Sequence, residues 1–139
     1  MSRVKVDLAG GGDEKVSPAS VLYFRRPTPS EMQREPAART VLRLSGPSLF
    51  TIGDMDQLAG EFGSQITLAA VTLPNRTQAL VNTAAVVDSD PPGSSYPTSA
   101  KTVLVFGVGP GARRLAVREE PAELESAWAA LGASTTAFA

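Results

Sequence analysis

Apolar and polar residues alternate along the first segment of the chain. Val4, Val6 and Leu8 are separated by charged residues, the period of two that is typical of a strand with one buried face. Three consecutive glycines at 10–12 interrupt this pattern, and a second strand is predicted at 15–24, broken by a proline. The segment is therefore predicted to form a β-hairpin with a glycine-rich turn.

The rest of the first half alternates between polar and apolar segments. A long polar loop with one helical turn is expected at 25–39, and strands are expected at 40–44 and 49–52. Asp54 and Gln57 have the spacing of a capping box at the start of a helix. Leu58 and Phe62, four residues apart, would share the buried face of that helix.

The second half has the same order of patterns. Strands are predicted at 66–73, 79–87, 102–106 and 115–117, with a long proline-containing loop at 88–100. A helix is expected to begin at Glu120, because proline follows it and is favoured at the first helical position. Its buried residues would be Leu124, Trp128 and Leu131.

These parallels predict an internal duplication. Val16 and Val81 are 65 residues apart, Thr40 and Thr102 are 62 apart, and Leu58 and Leu124 are 66 apart, with changes of offset only in loops. Convergence on a common hairpin pattern is the alternative. The fold expected is α+β and β-rich, made of two pseudo-symmetric ββββα repeats, 1–64 and 65–132, with a tail at 133–139. Because either half alone would form only a marginal core, we expect the repeats to share one core, in one sheet, two sheets or a barrel.

Composition excludes several kinds of chemistry. The chain contains no Cys and no His, so thiolate nucleophiles, imidazole bases and disulfides are impossible. Its net charge is −1, which argues against nonspecific nucleic-acid binding, since such binding usually needs a basic surface. We expect no catalytic activity, no cofactor and no metal.

Two motifs have a simpler interpretation than a binding site. The stretch Gly107 to Ala112 matches the dinucleotide-binding pattern G-x-G-x-x-G/A, but that site requires a helix immediately afterwards. The residues that follow favour a strand, so a hairpin turn is predicted. The acidic pairs at 54–56 and 88–90 lack the several converging oxygen ligands that a divalent metal needs.

Six arginines are the candidate interaction residues. They would contact phosphate or an acidic partner if the loops fold to the same side of the molecule, and the alternative is that they are ordinary solvated strand ends. They are Arg25, Arg26, Arg34, Arg39, Arg113 and Arg114.

Part of the chain resembles known small β-rich proteins. The strands at 102–106 and 115–117, the second followed by Arg118-Glu119, and the helix start at 122–124 resemble FlbD-type flagellar proteins. The first half, through 15–23 and 40–58, resembles the LytTR DNA-binding domain. These resemblances imply a β-rich fold and no catalytic residue, while the long loops and the acidic isoelectric point depart from both families.

Three classes of function remain open from the sequence. The first is a non-catalytic structural or assembly protein, such as a subunit of a phage particle, which would bind neighbouring protein subunits through loops 25–39 and 88–100 and form a homo-oligomer. The alternative is a nucleic-acid-binding transcriptional regulator that uses the arginine pairs, and a small-ligand or enzyme module is third. The start of the chain has no signal-peptide pattern and no apolar run is long enough to span a membrane, so a cytoplasmic or virion location is expected.

Overall fold

The computed structural model describes residues 2–139, which fold into ten β-strands and three α-helices. The strands form a five-stranded sheet, a three-stranded sheet and a separate two-stranded hairpin, and every pairing is antiparallel. The β-rich α+β class expected from the sequence is confirmed.

The elements of the first half include five strands. A short 3-10 turn at Pro18–Ser20 separates the second strand from the third. The elements are β1 (Val4–Asp7), β2 (Asp13–Val16), β3 (Val21–Arg25), α1 (Pro29–Arg34), β4 (Thr40–Leu44), β5 (Leu49–Thr51) and α2 (Met55–Phe62).

The second half also contains five strands. A 3-10 turn at Thr83–Ala85 separates its second strand from its third, and another 3-10 turn lies at Thr136–Phe138. The elements are β6 (Leu68–Thr72), β7 (Gln78–Asn82), β8 (Asp88–Asp90), β9 (Thr102–Phe106), β10 (Arg113–Val117) and α3 (Pro121–Ala130).

The five-stranded sheet combines strands from both halves. Its order is β5-β4-β3-β7-β6, so the pairing of β3 with β7 joins the two halves. At this junction the buried Asn82 donates from Nδ2 to the carbonyl oxygen of Val21 at 2.9 Å. The smaller sheet has the order β10-β9-β8.

Strand registers coincide between the halves. In the β1–β2 hairpin, Val4 lies opposite Val16. The positions 65 residues later, Ala69 and Val81, lie opposite each other in the β6–β7 hairpin. The pairing of β8 with β9 likewise has the register of β3 with β4, and β9 with β10 has that of β4 with β5.

A side-chain hydrogen bond is repeated as well. Thr40 donates from Oγ1 to the carbonyl oxygen of Gly53 at 2.8 Å, and Thr102 donates to the carbonyl oxygen of Glu119 at 2.7 Å. Both threonines are buried at the start of the middle strand of their half, so each hydroxyl ties that strand to the segment leading into the helix.

Apolar side chains form two clusters instead of the single shared core that we expected. One surrounds Phe62 of α2, the other surrounds Trp128 of α3, and both aromatic side chains are buried. Each cluster also involves residues of the other half, because Leu22 and Tyr23 of β3 belong to the Trp128 cluster, and Leu68 and Leu80 pack against the Phe62 cluster. Phe24 packs on Phe62, whereas Tyr23 packs on Phe106 in the second cluster.

Three expectations about local structure are wrong. Each half has five strands instead of four, because a 3-10 turn divides the strand expected at 15–24, and β8 forms at 88–90 in the segment expected to be a loop. Leu131 is 49% exposed, since α3 ends one residue before it. The Gln57 side chain donates to Glu61 instead of reaching back to the helix start, although Asp54 does cap α2.

Replacing Asn82 with alanine tests the junction between the halves. The Asn82→Ala variant leaves the buried Val21 carbonyl without its donor, which costs about 2 kcal/mol in the free energy of unfolding. Urea unfolding measures this loss, with Gln33→Ala on the exposed side of α1 as the control. Equal stability of the two variants would contradict this role for Asn82.

Candidate functional site

A groove of about 880 Å³ lies at one end of the five-stranded sheet. The end of β3, the start of β4, the start of α2 and the turn between β6 and β7 all reach this end. The residues that line the groove are Arg26, Pro27, Met32, Ala38, Arg39, Asp54, Met55, Asp56, Arg76, Thr77, Gln78 and Leu80.

One wall is the segment that contains α1. Thr28 accepts from the backbone N–H of Glu31, and Glu31 accepts from the backbone N–H of Thr28, which completes a capping box. Pro29 occupies the first turn, where its missing N–H is not needed. The helical turn expected within the long loop at 25–39 is therefore present, as α1, and forms an ordered wall.

An ion pair fastens this wall to the sheet. The two terminal nitrogens of Arg25 donate to the two carboxylate oxygens of Glu31 at 2.7 and 2.9 Å, the bidentate geometry that makes such pairs strong. The arginine hydrogen bond lowers the pKa of Glu31 to about 2, with a contribution from the Thr28 amide, while burial acts in the opposite direction. The same hydrogen bond raises the pKa of Arg25.

The opposite wall is formed by the start of α2 and by the β6–β7 turn. Asp54 accepts from the backbone N–H of Gln57 at 2.8 Å, so this carboxylate caps the helix at the edge of the groove. Arg76 has a positive φ of 72°, a conformation that is uncommon outside glycine. Asn75 supports this turn by accepting from the N–H and hydroxyl of Thr77.

The groove has both charges and an apolar component. Arg26, Arg39 and Arg76 supply guanidinium groups, Asp54 and Asp56 supply carboxylates, and Met32 and Met55 are among the apolar residues beside them. Arginine and methionine are enriched in protein interfaces. Such a lining suits a peptide segment or a protein surface.

The six candidate arginines do not lie together. Arg26 and Arg39 line the groove, whereas Arg25 is engaged by Glu31. Arg34 is exposed at the end of α1. Arg113 and Arg114 lie on β10. Arg113 donates to the carbonyl oxygen of Gly46 at 3.0 Å, at the opposite end of β4 from the groove.

Sequence reasoning missed Arg76. The strands expected at 66–73 and 79–87 leave Arg76 in the connection between them, but alternation alone does not show that this connection lies beside Arg26 and Arg39. The available signal was a cationic residue in a hairpin turn, and that signal is not specific.

The remaining sequence motifs have structural roles. The glycine-rich stretch from Gly107 forms the turn between β9 and β10, with positive φ at Gly107 and Gly109, so the predicted hairpin turn is confirmed. Asp88 accepts from the backbone N–H of Ser89 at 2.8 Å, at the start of β8. Within residues 2–139 no group of three or more acidic side chains is arranged to hold a metal ion.

Comparison with known proteins gives no match: no protein family, no curated protein and no solved structure is recognisably similar to this chain. None of the helices in residues 2–139 combines the length and the apolar character required to cross a membrane.

The Arg25–Glu31 pair predicts a specific pH dependence. Because folding lowers the pKa of Glu31 from 4.5 to about 2, its stabilisation is complete above about pH 5 and is lost as the pH falls towards 2. The Glu31→Gln variant should therefore be less stable near neutral pH, on the order of 2 kcal/mol, and the difference should shrink on acidification.

Urea unfolding at a series of pH values measures this difference. Glu125→Gln, on the exposed side of α3, is the matched control for removing one carboxylate. A Glu31→Gln deficit that stays constant between about pH 2 and 6 would contradict this account of the ion pair.

Proposed function

We propose that this chain is a non-catalytic structural protein that assembles with other protein subunits, for example in a phage particle or another multi-subunit particle in the cytoplasm. The observation that carries the proposal is the equivalence of strand registers in the two halves. Because the two halves are joined by the pairing of β3 with β7, an equivalent strand pairing is available to join further copies of the chain.

We further propose that this equivalence reflects an internal duplication, with repeats at 1–64 and 65–132 and a tail at 133–139. Its support is that changes of offset fall in connections, where insertions cost little. Convergence on hairpins would not by itself give the repeated threonine hydrogen bonds at Thr40 and Thr102.

Partner contacts in this proposal use the walls of the groove and the segment 88–100. The groove offers Arg26, Arg39 and Arg76 together with apolar residues such as Met32 and Met55, which suits a partner segment that carries both acidic and apolar side chains. The exposed apolar side chain of Met32 would lose its contact with water there.

The second candidate is a nucleic-acid-binding regulator. Its support is the set of exposed arginines, Arg26 and Arg39 in the groove and Arg114 on β10, which could contact phosphate. Asp54 and Asp56 line the same groove, and their negative charges would repel a phosphate backbone. We therefore favour the assembly function.

Charge reversal in the groove separates these two candidates. The double variant Arg26→Glu/Arg39→Glu should weaken assembly about tenfold or more if the groove binds a partner subunit, because it replaces two cations by anions. Light scattering over a range of concentrations measures assembly, and Arg113→Glu/Arg114→Glu on β10, away from the groove, is the matched control.

The same experiment includes a test for nucleic acid. Wild-type protein and an Arg113→Glu/Arg114→Glu variant are titrated with DNA at low and physiological salt. DNA binding that weakens steeply with salt and disappears in a folded, monomeric variant would overturn the assembly proposal in favour of the regulator.

A further inference from the structure

Strand β8 has an open edge where its counterpart in the first half is paired. In the first half β3 lies between β4 and β7, whereas β8 pairs only with β9 within residues 2–139. The counterpart of β7 is β2, and β2 pairs only with β1. Each chain therefore has one unpaired edge on β8 and one on β2. These two strands correspond to β3 and β7, which pair with each other within the chain.

We propose that copies of this chain associate head to tail, with β2 of one copy added to β8 of the next as an antiparallel strand. This inference rests on the proposed assembly function and identifies the partner as a second copy of the chain. Adding a strand to an open sheet edge is a common mode of protein recognition, because backbone groups supply the hydrogen bonds.

The junction within the chain gives the register of the contact. There, Tyr23 is opposite Val81, Phe24 opposite Leu80 and Arg25 opposite Ala79. Shifting each residue to its counterpart 65 positions away places Asp88 opposite Val16, Ser89 opposite Lys15 and Asp90 opposite Glu14 of the second copy.

Differences between the two halves support this contact. Leu68 and Leu80 of the β6–β7 hairpin pack on the Phe62 cluster. Their counterparts 65 residues earlier are polar: Arg3, just before β1, and Lys15 in β2. The β1–β2 hairpin lacks the leucines that would cover an apolar cluster. The surface that receives it must therefore have its apolar residues covered already.

The segment after α3 provides that cover. Phe138 packs edge-on against Trp128 with ring centroids 4.8 Å apart, and Ala137 belongs to the same cluster. Ser89 stands at the position of Phe24 and donates from Oγ to the carbonyl oxygen of Ala137 at 2.7 Å. The segment thus covers the Trp128 cluster and satisfies Ser89, and a polar hairpin can add beside it.

Charges at the proposed contact are mostly complementary. Leu80 and Asp54 line the same groove, and their counterparts are Lys15 of the second copy and Glu120. Gln78 and Arg39 also line it, and their counterparts are Asp13 of the second copy and Lys101. Each of these two combinations brings one acid and one base to the equivalent region of the contact.

One pair of residues at the contact has like charges, and this pair makes the inference testable. Asp90 would lie directly opposite Glu14 of the second copy, and like charges opposite each other on neighbouring strands are destabilising. Glu14→Lys alone and Asp90→Lys alone should each strengthen self-association about three- to tenfold, whereas the double variant should return to weak association because two lysines then repel.

Sedimentation velocity over a range of concentrations measures these affinities. Glu125→Lys makes the same change of charge on the exposed side of α3 and should leave association unchanged. Because the contact is head to tail, a series of dimers and larger species is expected, which ends in a ring if the rotation between copies closes.

Cross-linking tests the register independently of affinity. The chain has no cysteine, so Lys15→Cys and Ser89→Cys variants can be mixed and oxidised. Mixed disulfide dimers should form faster than either variant dimerises with itself, since only the mixed pair has facing residues.

The outcomes distinguish this inference from the proposed function. The β2–β8 contact would be overturned if oligomers form, the charge variants all associate with the same affinity as wild type, and no mixed cross-link appears. Assembly through another surface would then remain. A wild-type chain and charge variants that stay monomeric at all concentrations would overturn the contact, and failure of the groove variants to alter any assembly would overturn the proposed function as well.

Discussion

The antiparallel pairing of β3 with β7 is the constraint on which the rest of the structure depends. It makes one sheet out of strands from both halves, and it gives β3 apolar neighbours on both faces, with Phe24 in one cluster and Tyr23 in the other. The buried amide of Asn82 satisfies the Val21 carbonyl at this junction. Without the pairing, each cluster would lose residues that the other half supplies.

The same pairing places the groove. It brings the turn with Arg76 beside the end of β3 and the start of α2, so the groove has walls from both halves. Arg113 lies at the opposite end of β4, against the turn at Gly46. The molecule therefore has two arginine-containing surfaces instead of one continuous strip, and the first includes apolar residues such as Met32 and Met55.

Local patterns in the sequence predict much of this fold, because strands and helix starts depend on neighbouring residues. The alternation of Val4 and Val6 and the cap at Asp54 are correctly interpreted in this way. Strand partners are a different matter, since alternation gives the buried face of a strand but not the strand beside it. The joining of β3 to β7 could not be derived for that reason.

Contacts of single side chains and short strands have the same origin. Arg25 pairs with Glu31 because the turn into α1 brings this carboxylate within hydrogen-bonding distance. Strand β8 was missed because Asp-Ser-Asp has a low β-propensity, and its pairing with β9 overrides that preference. In both cases the outcome depends on contacts between segments that are separate in the sequence.

Native-state hydrogen exchange of the β3 and β7 amides tests most directly whether this pairing unites the two halves. If it does, the most protected amides of both halves will exchange with one common free energy, that of global unfolding, and will respond equally to added denaturant. Loss of protection in one half at a denaturant concentration where the other half remains protected would contradict the account.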